Sequence, residues 1–315
     1  MLLSRIAVGI VTYNSAKHIG ACLNSIAVHL SSALPFVVIF DNASNDDTVE
    51  QIESSSKKYS FPIELIRSSE NLGYAFGVNR IMEVVKADWV CLINPDARLQ
   101  SDPLEPAIEF VKRVPTSGIV GGIQFDENNS PQEAGGVFPS PLMAVWDWCG
   151  LRHIIPRKNW STTLSLDLPA DAPPRRIDYP TGAFWIFRRE VFRRVGAFDE
   201  RFFLYFEETD FCRRAKEIGW TSHILPSIRI LHERGGSFEF DKETRVRDPL
   251  SIYFESMFIY LYKHFPKRNV DLSIWFISIA MKIRKLVIKG EKSERIINAF
   301  EIGLGTARNK IQVSD

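Results

Sequence analysis

The sequence predicts an α/β protein built on a mostly parallel sheet, and three observations carry that prediction. Four short, near-continuous apolar runs punctuate the first part of the chain: Ile6–Val11, Phe36–Phe40, Ile63–Ile66 and Trp89–Ile93. Their length and β-branched content suit strands buried on both faces. Segments long enough for helices separate them, at Ala16–Ala27, Asp46–Lys58 and Tyr74–Lys86. Polar residues, finally, gather just after each run instead of being scattered. Strand and helix therefore alternate as in a doubly wound sheet.

Taken in order, the first run leads into Thr12-Tyr13-Asn14 and the second into Asp41-Asn42. The stretch Asn42-Ala43-Ser44-Asn45-Asp46-Asp47 then offers capping side chains and negative charge where a helix N-terminus favours them. Asn71 and Gly73 lie just after the third run, Asn94 and Asp96 after the fourth. In an open α/β sheet the ligand lies beyond the carboxyl ends of the strands, so these groups converge on one crevice. Asn, Asp and Gly also make ordinary turns; four such groups in succession point to a site.

Beyond Pro103 the pattern loosens through Gly118–Gly122, Asp126–Pro131 and a loop-rich stretch Pro139–Pro180. Trp146, Trp148 and Trp160 in that stretch suit core packing or a platform for the apolar face of a sugar. Order returns at Tyr179–Arg189, Glu207–Ile218 reads as a helix, and the chain from about Pro249 reads as a separate helical part.

Composition narrows the function. With 315 residues, 45% hydrophobic and 24% charged, the chain is neither disordered nor a multispanning membrane protein. Its 39 Lys+Arg against 38 Asp+Glu leave a net charge of +1, which gives no general attraction to nucleic acid. Cys22, Cys91, Cys149 and Cys212 form no C-x-x-C pair, so they read as buried free thiols suited to a reducing compartment. The apolar run after Arg5 is shorter than a secretory core segment and lacks a small-residue cleavage site, which leads to the expectation of a cytoplasmic enzyme. Neither G-x-G-x-x-G nor G-x-x-x-x-G-K-[ST] follows the first strand, so phosphates would need another partner. Asp96 at a strand end suggests a divalent cation for that purpose.

The block Gly196–Arg214 is dense in carboxylates beside aromatics. Apolar surroundings and neighbouring negative charge raise a carboxyl pKa and so make a general base; an acidic helix start pairing with Arg213 and Arg214 would give the same pattern. Here the chain resembles the family 2 inverting glycosyltransferases of GT-A fold, above all the rhamnosyltransferase-like members. The matching motifs are Val11-Thr12-Tyr13-Asn14, Asp41 through Thr48, Asn71-Leu72-Gly73-Tyr74 with Asn79, Asn94-Pro95-Asp96, Thr181-Gly182-Ala183-Phe184, Gly196–Arg214, and His232 with Gly235-Gly236-Ser237. They run in family order over roughly three quarters of the chain.

The resemblance implies that Thr12, Tyr13, Asn14, Asp41 and Asn42 hold the base and ribose of a dTDP- or UDP-sugar. Asn71, Gly73 and Asn79 would line the same pocket, with Asn94, Thr181 and Gly182 counted among the donor-binding residues. Asp96, in an Asn-Pro-Asp version of the family's Asp-x-Asp signature, and His232 would hold Mg²⁺ or Mn²⁺. Glu208 takes the position of the catalytic base, one methylene longer than the usual aspartate, and Asp210 is counted with it as catalytic. The acceptor would be a glycan or lipid-linked glycan, and dTDP-L-rhamnose the donor. A sugar-nucleotide-binding scaffold that has lost catalysis is the alternative, motivated by Asn94 and Glu208. A nucleotidyltransferase is disfavoured because Thr12-Tyr13-Asn14-Ser15 is no basic, Gly-rich phosphate loop.

The expected division is a catalytic domain over 1–245 and a helical extension over 246–315. In that extension Leu272, Trp275, Ile279, Ile283 and Leu286 recur at helical spacing, with Ser278, Lys282, Lys285 and Lys289 on another face. From Lys263 to Arg295 there are nine Lys/Arg against three Asp/Glu. Asp271 and Lys282 interrupt the apolar stretch, leaving it short of the ~20 residues that a spanning helix needs. The helix would pack on the domain or a second subunit, or lie on a membrane surface.

Overall fold

A computed structural model describes residues 6–151, 163–233, 247–288 and 290–312. Gly235-Gly236-Ser237, Trp160 and Lys289 lie outside the described residues. The chain forms two compact units. The first holds the strands β1 (Ile6–Thr12), β2 (Phe36–Asp41), β3 (Ile63–Arg67), β4 (Trp89–Ile93), β5 (Ala97–Leu99), β6 (Ser117–Phe125), β7 (Glu133–Gly136), β8 (Leu164–Ser165), β9 (Arg175–Ile177), β10 (Tyr179–Pro180), β11 (Phe184–Arg188) and β12 (Thr221–His232). Among the described residues the main sheet runs β3-β2-β1-β4-β11-β6-β12-β5, with β9 also on β12, and β10-β7-β8 form a small second sheet. β3, β2, β1 and β4 are mutually parallel, as the apolar runs predict, and β11 enters antiparallel to both β4 and β6.

The helices α1 (Ile19–Leu30), α2 (Thr48–Ser56), α3 (Tyr74–Val84), α4 (Leu104–Arg113) and α6 (Arg189–Val195) belong to this unit. Ile19, Cys22, Leu23, Ile26 and Leu30 of α1 are buried at the spacing of one helical face and join the core formed by β1, β2 and β4. α3 lies closer to the sheet. A Cβ on Gly77 would stand 2.9 Å from Val11 and 3.0 Å from Phe40, so only glycine permits this approach. At α2 the cap differs from the simplest expectation: Asp47 makes no capping bond, and Asp46 Oδ1 instead accepts the Thr48 N–H at 3.1 Å. The four cysteines are free, and burial pushes the Cys22, Cys91 and Cys212 thiols far up, which leaves them unreactive.

The second unit is helical and discontinuous in sequence. Besides α8 (Pro249–His264), α9 (Lys267–Val287) and α10 (Glu291–Gln312) it takes in α5 (Pro141–Trp148) and Glu200–Glu207, both on the other side of the expected boundary at residue 245. α8 is its axis. Phe254, Met257, Phe258, Ile259, Tyr260 and Leu261 are all buried, so this helix is apolar nearly all round and is covered on several sides. Trp148 of α5 packs 4.3 Å from the Phe254 ring, a core role for one of the loop tryptophans. Buried Glu255 is balanced by Lys310 at 2.7 Å and by Arg247. Ser256 Oγ donates to Leu204 O at 2.8 Å and Lys310 Nζ to Arg201 O at 2.9 Å, which anchors the 200–207 segment. Within that segment Tyr205 and Phe206 stand at φ +69° and +68°, left-handed conformations that cost about 1–3 kcal/mol each. Phe206 is held there by the rings of Tyr253 and Tyr260, 5.3 and 5.5 Å away.

α9 buries Val270, Ser273, Ile274, Ile277 and Met281, a face different from the stripe its sequence advertises. Leu272, Trp275, Ile283 and Leu286 of that stripe are exposed. No helix among the described residues is long and apolar enough to cross a membrane.

α10 crosses α8 at Gly303, where a Cβ would lie 2.6 Å from Phe254 Cβ, 2.7 Å from Ser251 O and 2.8 Å from Glu255 N. Two of these are backbone atoms that cannot yield. Gly303→Ala should therefore lower stability by about 2 kcal/mol in urea denaturation, the overpacking cost outweighing the gain in helix propensity.

Candidate active site

The carboxyl edge of the parallel strands is organised by a lattice of hydrogen bonds between the loops that follow β1 and β2. The parallel register sets Thr12 beside Asp41, and Thr12 Oγ1 donates to Asp41 Oδ1 at 3.0 Å. Asp41 also accepts from Ser44 Oγ at 2.6 Å and from the Ser44 N–H at 3.1 Å. Asn14, at φ +47°, donates its N–H to Ser44 Oγ and accepts the Asn45 N–H at 2.8 Å. The Ser15 and Ala16 N–H groups reach Thr48 Oγ1 and Asp46 Oδ2 at 2.7 and 3.0 Å. Half-buried Tyr13 sits on this rim. Asn42 spans to the next loop, accepting from Leu72 N–H and donating to Gly73 O, both at 3.0 Å, while Asn71 Oδ1 accepts the Gly73 N–H at 3.1 Å. Gly73 takes φ +90° immediately before α3, which explains glycine there.

Eight of the expected residues thus gather on the strand ends and the loops beside them. The eighth is Asn94, whose N–H donates to Ala183 O at 2.9 Å and ties the end of β4 to the loop entering β11. That loop carries Thr181, whose Oγ1 receives Gln124 Nε2 at 2.5 Å.

Asp96 and His232 come together because β5 pairs antiparallel with the end of β12, setting His232 opposite Ala97. His232 Nε2 faces Asp96 Oδ1 at 3.6 Å, too far for a hydrogen bond. Asp96 Oδ1 and His232 Nδ1 are buried with no hydrogen-bond partner. A buried carboxylate oxygen without a donor is costly unless something cationic joins it. Mg²⁺ and ions like it often take one or two protein ligands and complete their shell with substrate phosphates. This pair fits that demand, although no group of three or more His, Cys, Asp or Glu among the described residues is clustered to hold a metal by itself. The sequence reading missed the groups that hold the pair in place. Gln132 Nε2 donates to His232 O at 3.0 Å, the Glu233 N–H to Asp96 O at 3.0 Å, and the Glu233 carboxylate binds His18 Nδ1 at 3.0 Å and Arg98. Glu233 could have been suspected from its place beside His232; Gln132 carries no sequence signal.

Glu208 is the second residue of the helix α7 (Glu207–Glu217) and the first of that helix to belong to the first unit. Burial pushes its carboxyl up to about 7, against the opposing pull of the Glu208, Thr209 and Gly182 N–H groups that stabilise the carboxylate. Its Oε2 is buried without a hydrogen-bond partner. Gly182, expected in the donor pocket, stands instead beside this carboxyl: a Cβ there would lie 3.8 Å from Glu208 Oε1.

Two of the expected site residues are tied into the framework. Asp210 is wholly buried, and its Oδ2 accepts Arg214 Nε at 2.9 Å; Arg214 in turn donates to Val195 O and Ala197 O, both at 2.9 Å. The i, i+4 spacing on one helix makes this pair a brace for α7. Asn79 likewise clamps the backbone of Phe198, accepting its N–H at 2.9 Å and donating to its carbonyl at 3.0 Å, so its amide faces the framework and not a nucleotide.

The family model described as glycosyl transferase family 2 matches residues 7–196, well over half of the chain. The chain belongs to that family. Over 268 residues this glycosyltransferase is 26% identical to the N-acetylglucosaminyl-diphospho-decaprenol L-rhamnosyltransferase of Mycobacterium tuberculosis, a match spanning 80% of this chain and 82% of that protein. It is 23% identical over 237 residues to the dTDP-rhamnosyl transferase RfbF of Shigella flexneri, covering 74% and 70% of the two chains. The mannosyltransferase PcManGT from Pyrobaculum calidifontis, solved with GDP-Man and Mn²⁺, shares its fold with a TM-score of 0.57 at 13% identity, over 96% of this chain and 86% of that one. The fold is GT-A, as the resemblance implies.

The brace between Asp210 and Arg214 gives a test. Asp210→Asn leaves Arg214 short of its buried partner and should cost the glycosyltransferase about 3 kcal/mol of stability, measured by urea denaturation. The folded fraction should keep most of its kcat.

Proposed function

We propose that this glycosyltransferase moves L-rhamnose from dTDP-L-rhamnose to a hydroxyl of a glycan or lipid-linked glycan, with inversion at the anomeric carbon. The observation that carries the chemistry is Glu208, a carboxyl with a pKa near 7 and one oxygen left without a partner. A base poised near neutral pH accepts a proton in its ionised form and holds it in its neutral form at little cost either way. The choice of rhamnose, and of a lipid-linked acceptor, is supported by the names of the two relatives above.

In the proposed reaction the acceptor oxygen forms a bond to the anomeric carbon as its proton passes to Glu208. The bond from that carbon to the diphosphate breaks, and its electron pair leaves with the nucleoside diphosphate. No covalent intermediate on the protein is needed. The laced loops carrying Thr12 to Asn14 and Asp41 to Asn42, together with Asn71, Gly73, Asn94 and Thr181, would orient the nucleotide on a surface already fixed before binding. Asp96 and His232 would hold Mg²⁺ or Mn²⁺, which supplies positive charge for the departing diphosphate. Such an enzyme would work in the cytoplasm, peripheral to the membrane that carries the acceptor's lipid.

The deciding experiment follows nucleoside diphosphate release from dTDP-L-rhamnose and from UDP-sugars, with and without added metal. Release from dTDP-L-rhamnose alone supports the reading; a preference for a UDP-hexose overturns the donor, and tight donor binding with no turnover identifies a scaffold. Asp96→Ala and exhaustive chelation should each abolish transfer while leaving the circular dichroism spectrum unchanged. Full turnover after chelation would sink the metal assignment, because cationic side chains would then have to stabilise the leaving group.

The pH profile tests the base. Transfer requires ionised Glu208, so kcat should rise with pH through about 7 and then level. Glu208→Gln should lower kcat by about 10²-fold or more and erase that acidic limb. The same variant should melt higher than wild type at pH 8. A carboxyl whose folded pKa is raised contributes stability below its unfolded pKa and loses it as pH climbs through about 7, whereas glutamine has no such loss.

A further inference from the structure

The helix α9 carries two apolar faces, and only one of them is covered. Val270, Ile274, Ile277 and Met281 face the core of the helical unit. Six of the thirteen large apolar side chains exposed among the described residues, Leu272, Trp275, Phe276, Ile283, Leu286 and Val287, also lie on this helix. At 100° per residue they fall on one stripe on the side away from the buried face. Leu286 and Val287 are 80% and 73% exposed. Soluble surfaces scatter such residues singly; a continuous stripe marks a contact.

From this stripe and its charges we infer that α9 lies in the headgroup layer of an anionic membrane, with Leu272, Trp275, Ile283 and Leu286 inserted. The inference rests on the lipid-linked acceptor proposed above and names the surface through which the enzyme would meet that lipid. The charges of α9 favour a lipid surface over a second copy of the chain. Exposed Arg268 and Lys282 border the stripe, exposed Lys267 and Lys285 add positive charge to the same helix, and Asp271, the one acidic residue on α9, accepts a hydrogen bond from Tyr262 at 2.6 Å. Two copies meeting through this face would bring like charges together, whereas phosphate headgroups complement them. Long basic side chains beside an apolar stripe can extend to the phosphates while their stems lie along the acyl boundary, and tryptophan favours that same layer. The helix also lacks the apolar length to cross, so it lies along the surface.

The test is co-sedimentation of the full chain with vesicles of phosphatidylcholine, with and without one third phosphatidylglycerol. Partitioning into the anionic vesicles should be about tenfold stronger or more and should fall as salt is raised. Lys282→Gln with Lys285→Gln should weaken it by about tenfold, and Ile283→Ser with Leu286→Ser should abolish it. Both double variants should keep their circular dichroism spectrum and their rate on a water-soluble acceptor. Equal partitioning of all three proteins, or none by wild type, overturns the inference. So does a dimer in sedimentation velocity that the Ser variant dissolves, which would assign the face to a second copy. Vesicle binding by an enzyme that glycosylates only water-soluble acceptors would refute the acceptor reading and leave the membrane face standing; turnover of a lipid-linked acceptor in detergent without vesicle binding would do the reverse.

Discussion

A parallel sheet buried on both faces leaves polar chemistry only its ends. β6 is buried along all nine of its residues, and β1 is so tightly enclosed that a Cβ on Gly9 would stand 2.8 Å from Leu92 and 3.0 Å from Ile81. No ionisable group fits such a layer without a large desolvation cost. Thr12, Asp41, Asn94 and Asp96 therefore appear where the strands stop, and the same limit places the remaining site residues on loops beside them. Because the strands are parallel and in register, their ends fall on one edge. The position of the site follows from the burial of the sheet, before any particular residue is considered.

At that edge most polar residues serve one another. Asp41 takes three donors, from Thr12 and twice from Ser44, and both ends of the Asn42 amide are used on the Leu72–Gly73 backbone. These bonds give the loops one shape before a ligand arrives, which removes an ordering cost from binding. Atoms left open are then informative against this background. Asp96 Oδ1, His232 Nδ1 and Glu208 Oε2 are buried and lack hydrogen-bond partners, and each belongs to a residue expected to do chemistry.

Much of this was legible in the sequence, for identifiable reasons. The strands β1 to β4 are short apolar runs bounded by polar residues, a signal that depends only on burial, and the structure reproduces them to within a residue or so. The roles of individual polar residues were less legible. Asn79 and Asn42 are the same residue type, and both bind backbone; only the fold reveals that one clamps Phe198 and the other shapes a strand-end loop. Asp210 differs from Glu208 by two positions, yet helical spacing turns it toward Arg214. The boundary at residue 245 missed α5 and Glu200–Glu207 because a composition shift detects a contiguous tail, whereas this unit recruits segments from earlier in the chain. On α9 the periodicity was read correctly but found only one of two apolar faces; a pattern of spacing cannot say which face is covered.

Glu208 brings these threads to one side chain. Relative to an aspartate its extra methylene gives the carboxyl more reach, and it lies where its own N–H, that of Thr209 and that of Gly182 all stabilise the charged form. Three such donors at a helix start would by themselves draw a carboxyl well below its ordinary value. Burial acts in the opposite direction and is the larger effect, so the balance settles near 7. Either influence alone would make a poor base: donors without burial give a carboxylate too weak to take a proton, and burial without donors gives a carboxyl that stays protonated. The longer side chain is thus compatible with the catalytic role, because the donors at the helix start fix where its oxygens lie and burial sets how readily they accept a proton.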